Sequence, residues 1–182
     1  MMKSDSKTGM RREGGFTLLE LIVTLAIVAI VLSAGVPSYR GIVMDNRLAS
    51  QANLFATSIK LARSNAVKYQ RNATVCSSAN FDAALPTCSS DADWSDGWIV
   101  WVDKDRDNTV DAANDEVIRV AEPVAGTTTF TSAARTEFTY NSRGFINATD
   151  ILSLCDNRTA ETGRDITIRP SGHLNISQPA CP

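Results

Sequence analysis

From Phe16 to Val36 the chain runs for 21 residues with one charged side chain, Glu20. As a helix, that stretch would span about 32 Å, enough for the hydrocarbon core of a bilayer. Beyond Pro37 the pattern becomes one-sided. Leu48, Ala52, Phe55, Ile59, Ala62 and Ala66 recur at alternating steps of four and three, which is one apolar stripe of a helix. Arg47, Gln51, Lys60, Arg63, Lys68 and Arg71 fill the other faces. The pattern predicts a single helix from Phe16 to about Tyr69, about 80 Å long if continuous. Gly35, Pro37 and Gly41 mark the places for a kink or local melting. The stripe of the second half is too narrow for full burial, so it must cover a sheet.

After Gln70 the period shortens toward two. Strands are expected at Asn72–Cys76, Trp98–Val102, Glu116–Val120, Thr127–Thr131, Glu137–Tyr140, Phe145–Asn147, Asp165–Arg169 and His173–Ile176. Trp98–Val102 is the strongest and should pair with Glu116–Val120 across the Asp103–Asn108 turn. The last two strands should form a hairpin about Pro170-Ser171-Gly172. Ser77 to Asp93, rich in Ser, Ala, Asp and Pro, reads as a loop. One long helix followed by antiparallel strands gives an α+β arrangement, the amphipathic half of the helix packed on an antiparallel β-sheet domain.

Charge adds little: the formal net charge is −2 and the pI about 5.4, so no global basic field points to nucleic acid. About 145 residues lie beyond the apolar span, the size of one domain. All four cysteines, Cys76, Cys88, Cys155 and Cys181, fall in that part. An even count outside the cytoplasm reads as two disulfides, for which three pairings exist. Proximity in sequence and flanking turn residues favour Cys76–Cys88 and Cys155–Cys181, the second stapling the tail through Pro182. No spacing is of the CxxC type that would favour a metal.

Ahead of the apolar run stands a basic head with Lys3, Lys7, Arg11 and Arg12, expected to remain cytoplasmic. A secretory signal peptide would place small residues after its apolar core, whereas here Gly14-Gly15 precedes it. A carboxylate such as Glu20 inside an apolar span is costly and calls for a cationic partner. The run Gly15-Phe16-Thr17-Leu18-Leu19-Glu20 resembles the class III signal of type IV prepilins and type II secretion pseudopilins. The resemblance implies cleavage between Gly15 and Phe16 by a prepilin peptidase and N-methyltransferase, with methylation of Phe16. Glu20 would then be the fifth mature residue, pairing with the Phe16 amine of a neighbouring subunit.

The β-rich half resembles the minor pilin and pseudopilin H group (FimT/GspH-like), through the Trp98–Asp107 strand and turn, Arg143-Gly144 and the late Ser171-Gly172 hairpin. Residues 1–15 would be a leader, 16–36 the membrane and filament-core half of the helix, 37–70 its amphipathic half, and 71–182 a periplasmic or extracellular β-domain. Before assembly the subunit would cross the inner membrane once, N-terminus in the cytoplasm. The resemblance implies a non-enzymatic minor pilin with other pilins or pseudopilins as partners. It leaves open a type II secretion pseudopilin or a DNA-binding pilus subunit.

The residues themselves offer three candidate chemistries. Asp103, Asp105, Asp107 and Asp111 have the carboxylate spacing that opens an EF-hand loop, but Asn108 replaces the turn glycine, Asn114 takes the twelfth position and Glu116 comes two residues late. That excludes an EF-hand and leaves a looser Ca²⁺ site beside the preferred reading, a solvated turn neutralised by Lys104 and Arg106; no other cofactor is implied. Some proteins of the resembled group bind DNA through Gly-Arg-x-Arg; here Gly163-Arg164-Asp165-Ile166 keeps only the first half and Gly172-His173-Leu174-Asn175 only the glycine. Arg158, Arg164 and Arg169 are the candidate phosphate contacts, although Glu161 and Asp165 interrupt them and favour a solvated surface. His173, the single histidine, follows a turn, and no GxSxG or HExxH run accompanies it.

Overall fold

The computed structural model describes residues 15–111, 113–158 and 162–181, without the side chains of residues 34, 37 and 38. The basic head with Lys3, Lys7, Arg11 and Arg12, together with Gly14, Glu161 and Pro182, lies outside the described residues. The chain divides into two compact units after Gly41. Helix α1, Leu18–Tyr69, is assigned without a break through Gly35, Pro37 and Gly41, so the local melting considered there does not occur.

In the first unit, Thr17 caps the helix: its hydroxyl accepts a bond from the Glu20 amide at 3.2 Å. Thr24 and Ser33 turn their hydroxyls back onto the carbonyls of Leu21 and Ile30, at 2.9 and 2.7 Å. Polar groups are thereby satisfied within the helix, and the outer surface is left almost wholly to aliphatic side chains. These are exposed all round: Leu18 at 75% and Ile30 at 70%, with Leu21, Ile22, Leu25, Ile27, Val31 and Leu32 also exposed. Among the described residues no helix is long and apolar enough to cross a membrane, so the span Phe16–Val36 stands as an expectation only.

In the second unit the predicted stripe is the buried face: Leu48, Ala52, Phe55, Ile59, Ala62 and Ala66 are all essentially inaccessible. They pack on eight strands, β1 Asn72–Ser77, β2 Trp98–Asp103, β3 Glu116–Ala121, β4 Thr129–Ser132, β5 Glu137–Tyr140, β6 Asp150–Cys155, β7 Arg164–Ile168 and β8 Leu174–Ser177. They form two antiparallel four-stranded sheets, ordered β3-β2-β1-β5 and β4-β6-β7-β8. Both expected hairpins form: Trp98 pairs with Ala121 and Val102 with Glu116, and Ile168 pairs with Leu174. A register shift between Val100 and Trp101 leaves Ile118 as a bulge in the first hairpin.

The sequence reading expected one sheet and no strand at Asp150–Cys155. That strand, β6, sits between β4 and β7 and so holds the second sheet together. Its alternation is short (Leu152 and Leu154 buried, Ser153 between them), and the preceding Asn147-Ala148-Thr149-Asp150 reads as turn. Phe145–Asn147 is not a strand; it contributes one isolated bridge, Tyr140 with Ile146.

Alternation decides which residues meet the helix. Ala73, Val75, Trp98, Val100, Val102, Phe138 and Tyr140 of the first sheet join Phe130, Leu152, Leu154, Ile166 and Ile168 of the second in one core with the helix stripe. Phe55 is its hub, meeting Trp94, Trp98 and Phe130 edge-on with centroids 5.4, 5.4 and 5.0 Å away. Two of the three buried indoles are satisfied, Trp98 Nε1 donating to Ser58 Oγ at 2.9 Å and Trp94 Nε1 to the Arg135 carbonyl at 3.0 Å, while Trp101 Nε1 has no partner among the described residues. The opposite face of the first sheet carries a smaller cluster of Cys76, Ile99 and Trp101, covered by Cys88, Val110 and Val117.

Candidate functional site

The N-terminal site is built by the sequence itself. Gly15 and Phe16 precede the helix, and Phe16 is 80% exposed. Glu20 lies in the first turn, where the amide ends of the helix favour a carboxylate. Thr17-Leu18-Leu19-Glu20 has the spacing of a capping box. Only the threonine half of the box forms, and among the described residues the Glu20 carboxylate is exposed and has no ion-pair partner.

Both favoured disulfides are present, Cys76–Cys88 and Cys155–Cys181, closing loops of 12 and 26 residues. The first ties β1 to the Ser78–Ala92 connection and holds it over the outer face of the first sheet. The second ties the end of β6 to the tail, which also bonds through Gly163 N to the Pro179 carbonyl at 2.8 Å. Gly163 is required at that crossing: a Cβ there would come within 2.6 Å of Cys181 Sγ and 2.7 Å of the Leu154 carbonyl. A comparable constraint acts at Gly172, whose φ is +74° and whose carbonyl accepts from the buried Tyr140 hydroxyl at 3.0 Å. Burial pushes the Tyr140 phenol up to about 12.

The acidic turn between β2 and β3 is organised around carboxylates. Asp103 closes β2 pointing to the outer face and is 1% exposed. One of its oxygens accepts from the Arg106 amide, and the other is buried without a partner. Asp115, which the sequence reading did not single out, accepts from the Lys104 and Asp111 amides at 2.9 and 3.1 Å. Carboxylate oxygens of Asp103, Asp105 and Asp115 lie within 4.8 Å of one another, as do those of Asp105, Asp107 and Asp111. Desolvation first, and then the like charges of Asp107, Asp115 and Asp111, hold the Asp105 carboxyl above its ordinary value. The expected neutralisation by Lys104 is not what forms: its ammonium pairs with Glu116 at 2.8 Å and lies over the Tyr69 ring. Asn108 stands with φ +60°, the conformation in which a glycine was expected.

The three arginines do not gather into a patch. Arg158 is bound to Asp156 and Asp45, both at 2.8 Å, which holds its guanidinium above its ordinary range and that of Asp156 below. Arg164 folds back to donate to the Gly163 carbonyl at 2.7 Å. Arg169 is exposed just beyond β7, five residues from Arg164 and therefore on the opposite side of the strand line. His173 is exposed in the β7–β8 turn, on the rim of an open groove of about 730 Å³ lined also by Lys60, Arg63 and Ser64.

Comparison with known proteins gives a family. The family described as type II transport protein GspH matches residues 51–172, and the prokaryotic N-terminal methylation motif matches residues 10–36. Two crystal structures of the type IV minor pilin FimU from Pseudomonas aeruginosa (strain PAO1) have a similar fold. One is 21% identical with a TM-score of 0.56, over 76% of this chain and 98% of that one. The other is 19% identical with a TM-score of 0.53, over 74% and 99%. No curated protein matches the chain. The chain belongs to the GspH family, has a pilin-like fold and carries the N-terminal methylation motif of that class.

Proposed function

We propose that this member of the GspH family is a minor pilin of a type IV pilus, cut between Gly15 and Phe16, methylated on Phe16 and assembled through Glu20. The observation that carries the reading is the first unit of the chain, whose aliphatic side chains are exposed on every side behind a single carboxylate. Such a surface needs lipid or like helices around it, and Glu20 needs a cation once it is desolvated. The new α-amine of Phe16 on an adjacent subunit supplies one. Before assembly the subunit would rest in the inner membrane as a single-pass protein, with its disulfide-closed domain in the periplasm. Its job would be to prime or tip the filament with other pilins.

Intact mass and N-terminal sequencing of protein recovered from cells with and without prepilin peptidase tests the processing step. A chain beginning at methylated Phe16 only when the peptidase is present is expected; an uncut chain, or a cut beyond Val36, ends this reading. Glu20→Ala should then be processed yet fail to enter filaments, while retention of assembly would remove the pairing role. A pseudopilin of type II secretion is the second reading, favoured by the description of the matched family. Loss of secretion with piliation intact in a deletion strain would select it. The dispersed arginines do not favour a DNA-binding subunit.

A further inference from the structure

The turn between β2 and β3 carries five aspartates from Asp103 to Asp115, and one of them is in an unusual state. Asp103 is 1% exposed, yet one carboxylate oxygen has no donor from the protein. A carboxylate oxygen buried without a donor carries an uncompensated desolvation cost. Its neighbours do not relieve it, since they are two further carboxylates, Asp105 and Asp115. The nearby ammonium of Lys104 is held by Glu116. A cation at the centre of these three would relieve both the burial and the repulsion.

We infer that Asp103, Asp105 and Asp115 form a Ca²⁺ site at the mouth of the β2–β3 hairpin. Chemistry points to the ion. Three oxygens no more than 4.8 Å apart can all lie within about 2.8 Å of a common centre, which suits the flexible 2.3–2.6 Å oxygen shell of Ca²⁺, and nothing in the turn imposes the strict octahedron that Mg²⁺ demands. All donors are oxygen, which excludes the softer metals. The set differs from the EF-hand spacing of the sequence. Asp107 already accepts from the Thr109 amide and hydroxyl, at 2.8 and 2.7 Å. Asp111 accepts from the amides of Ala113 and Asn114, at 2.8 and 2.7 Å. Asp115 also accepts two amides, those of Lys104 and Asp111, so what sets this group apart is that it contains Asp103 with its buried, unpartnered oxygen, and Asp115 brings the third carboxylate from the foot of β3.

The site also has a structural consequence. Asp103 ends β2 on the same face as Ile99 and Trp101, and Val110 of the turn packs on that cluster. Bound Ca²⁺ would lock the turn onto the sheet where the outer cluster is otherwise held by the Cys76–Cys88 bridge.

The test uses the full chain in detergent micelles, freed of divalent ions, with CaCl₂ as titrant in calorimetry and MgCl₂ in parallel. One Ca²⁺ per chain is expected, with Mg²⁺ at least about tenfold weaker, and a rise in the thermal midpoint on adding Ca²⁺. Asp105→Asn and Asp115→Asn should each weaken Ca²⁺ binding about tenfold or more and abolish the midpoint rise, whereas Asp91→Asn, outside the turn, should change neither. Asp105 is exposed, so its variant keeps the test valid even if changes at Asp103 disturb folding. No saturable binding at millimolar Ca²⁺, or binding unaltered in both variants, overturns the assignment.

Discussion

Phe55→Ala is the substitution that tests the architecture of the second unit most directly. The ring is fully buried and touches Trp94, Trp98 and Phe130 edge-on at 5.0–5.4 Å between centroids. Truncation returns roughly 140 Å² of apolar surface to the balance, about 3.5 kcal/mol at 25 cal/mol per Å². Three rigid rings cannot collapse into the space, so the loss should lie toward the upper end of the roughly 3–5 kcal/mol typical of Phe→Ala in cores. Equilibrium denaturation of the full chain in mild detergent, followed by tryptophan fluorescence, reads this directly because two of the three tryptophans flank the cavity. Val43→Ala, at an exposed position of the same helix, should change stability by less than about 0.5 kcal/mol. A loss below about 1.5 kcal/mol at Phe55, or an equal loss at Val43, would refute the placement of the helix stripe at the centre of the core.

Other consequences are equally open to measurement. Replacing Cys155 and Cys181 by serine should cost about 3.5 kcal/mol and replacing Cys76 and Cys88 about 3, following the closed loops of 26 and 12 residues; denaturation midpoints in the reverse order would count against a loop-entropy origin. Gly163→Ala should destabilise by about 1–3 kcal/mol and slow closure of the Cys155–Cys181 bridge, read by thiol trapping, because the added methyl meets Sγ and a backbone carbonyl. For Asp150, burial pushes the carboxyl up, but bonds from the Ser132 hydroxyl and the Ile151, Ala134 and Arg135 amides hold it below its ordinary 3.8. Asp156 is held below the same value by Arg158. Their stabilisation is therefore complete above about pH 4 and lost as pH falls through the folded values. The raised Tyr140 phenol acts at the other end, its contribution intact below about pH 10 and lost as pH rises through about 12. A midpoint-versus-pH series with Asp150→Asn and Tyr140→Phe should flatten the acid and alkaline limbs respectively.

The helix was legible because both of its halves carry strong patterns over many turns. Every residue of the Leu48–Ala66 stripe is buried, and both disulfides follow the pairing favoured by sequence proximity. The second sheet was not legible. It depends on β6, where only Leu152 and Leu154 face the core and the entering residues have turn character. The acidic turn was half legible: the aspartate spacing was visible, but the burial of Asp103 and the arrival of Asp115 from the far end of the loop depend on β2–β3 pairing. The arginines misled for a related reason. Closeness in sequence suggested a patch, while strand alternation and the carboxylates of Asp45 and Asp156 disperse it.

The surface of the first unit bears on how easily a subunit could change surroundings. With Thr24 and Ser33 bonded back to the helix, what faces outward is aliphatic. Hydrocarbon tails and neighbouring aliphatic helices solvate such a surface about equally well, so the hydrophobic effect discriminates little between them. Water is strongly disfavoured, and the two dry reservoirs are nearly level. Under the function proposed above, the partition between them would be decided by the few polar groups at the helix head, Glu20 and the amine it would meet. A difference of a few kcal/mol would suffice to drive entry, and its removal would permit exit by the same route.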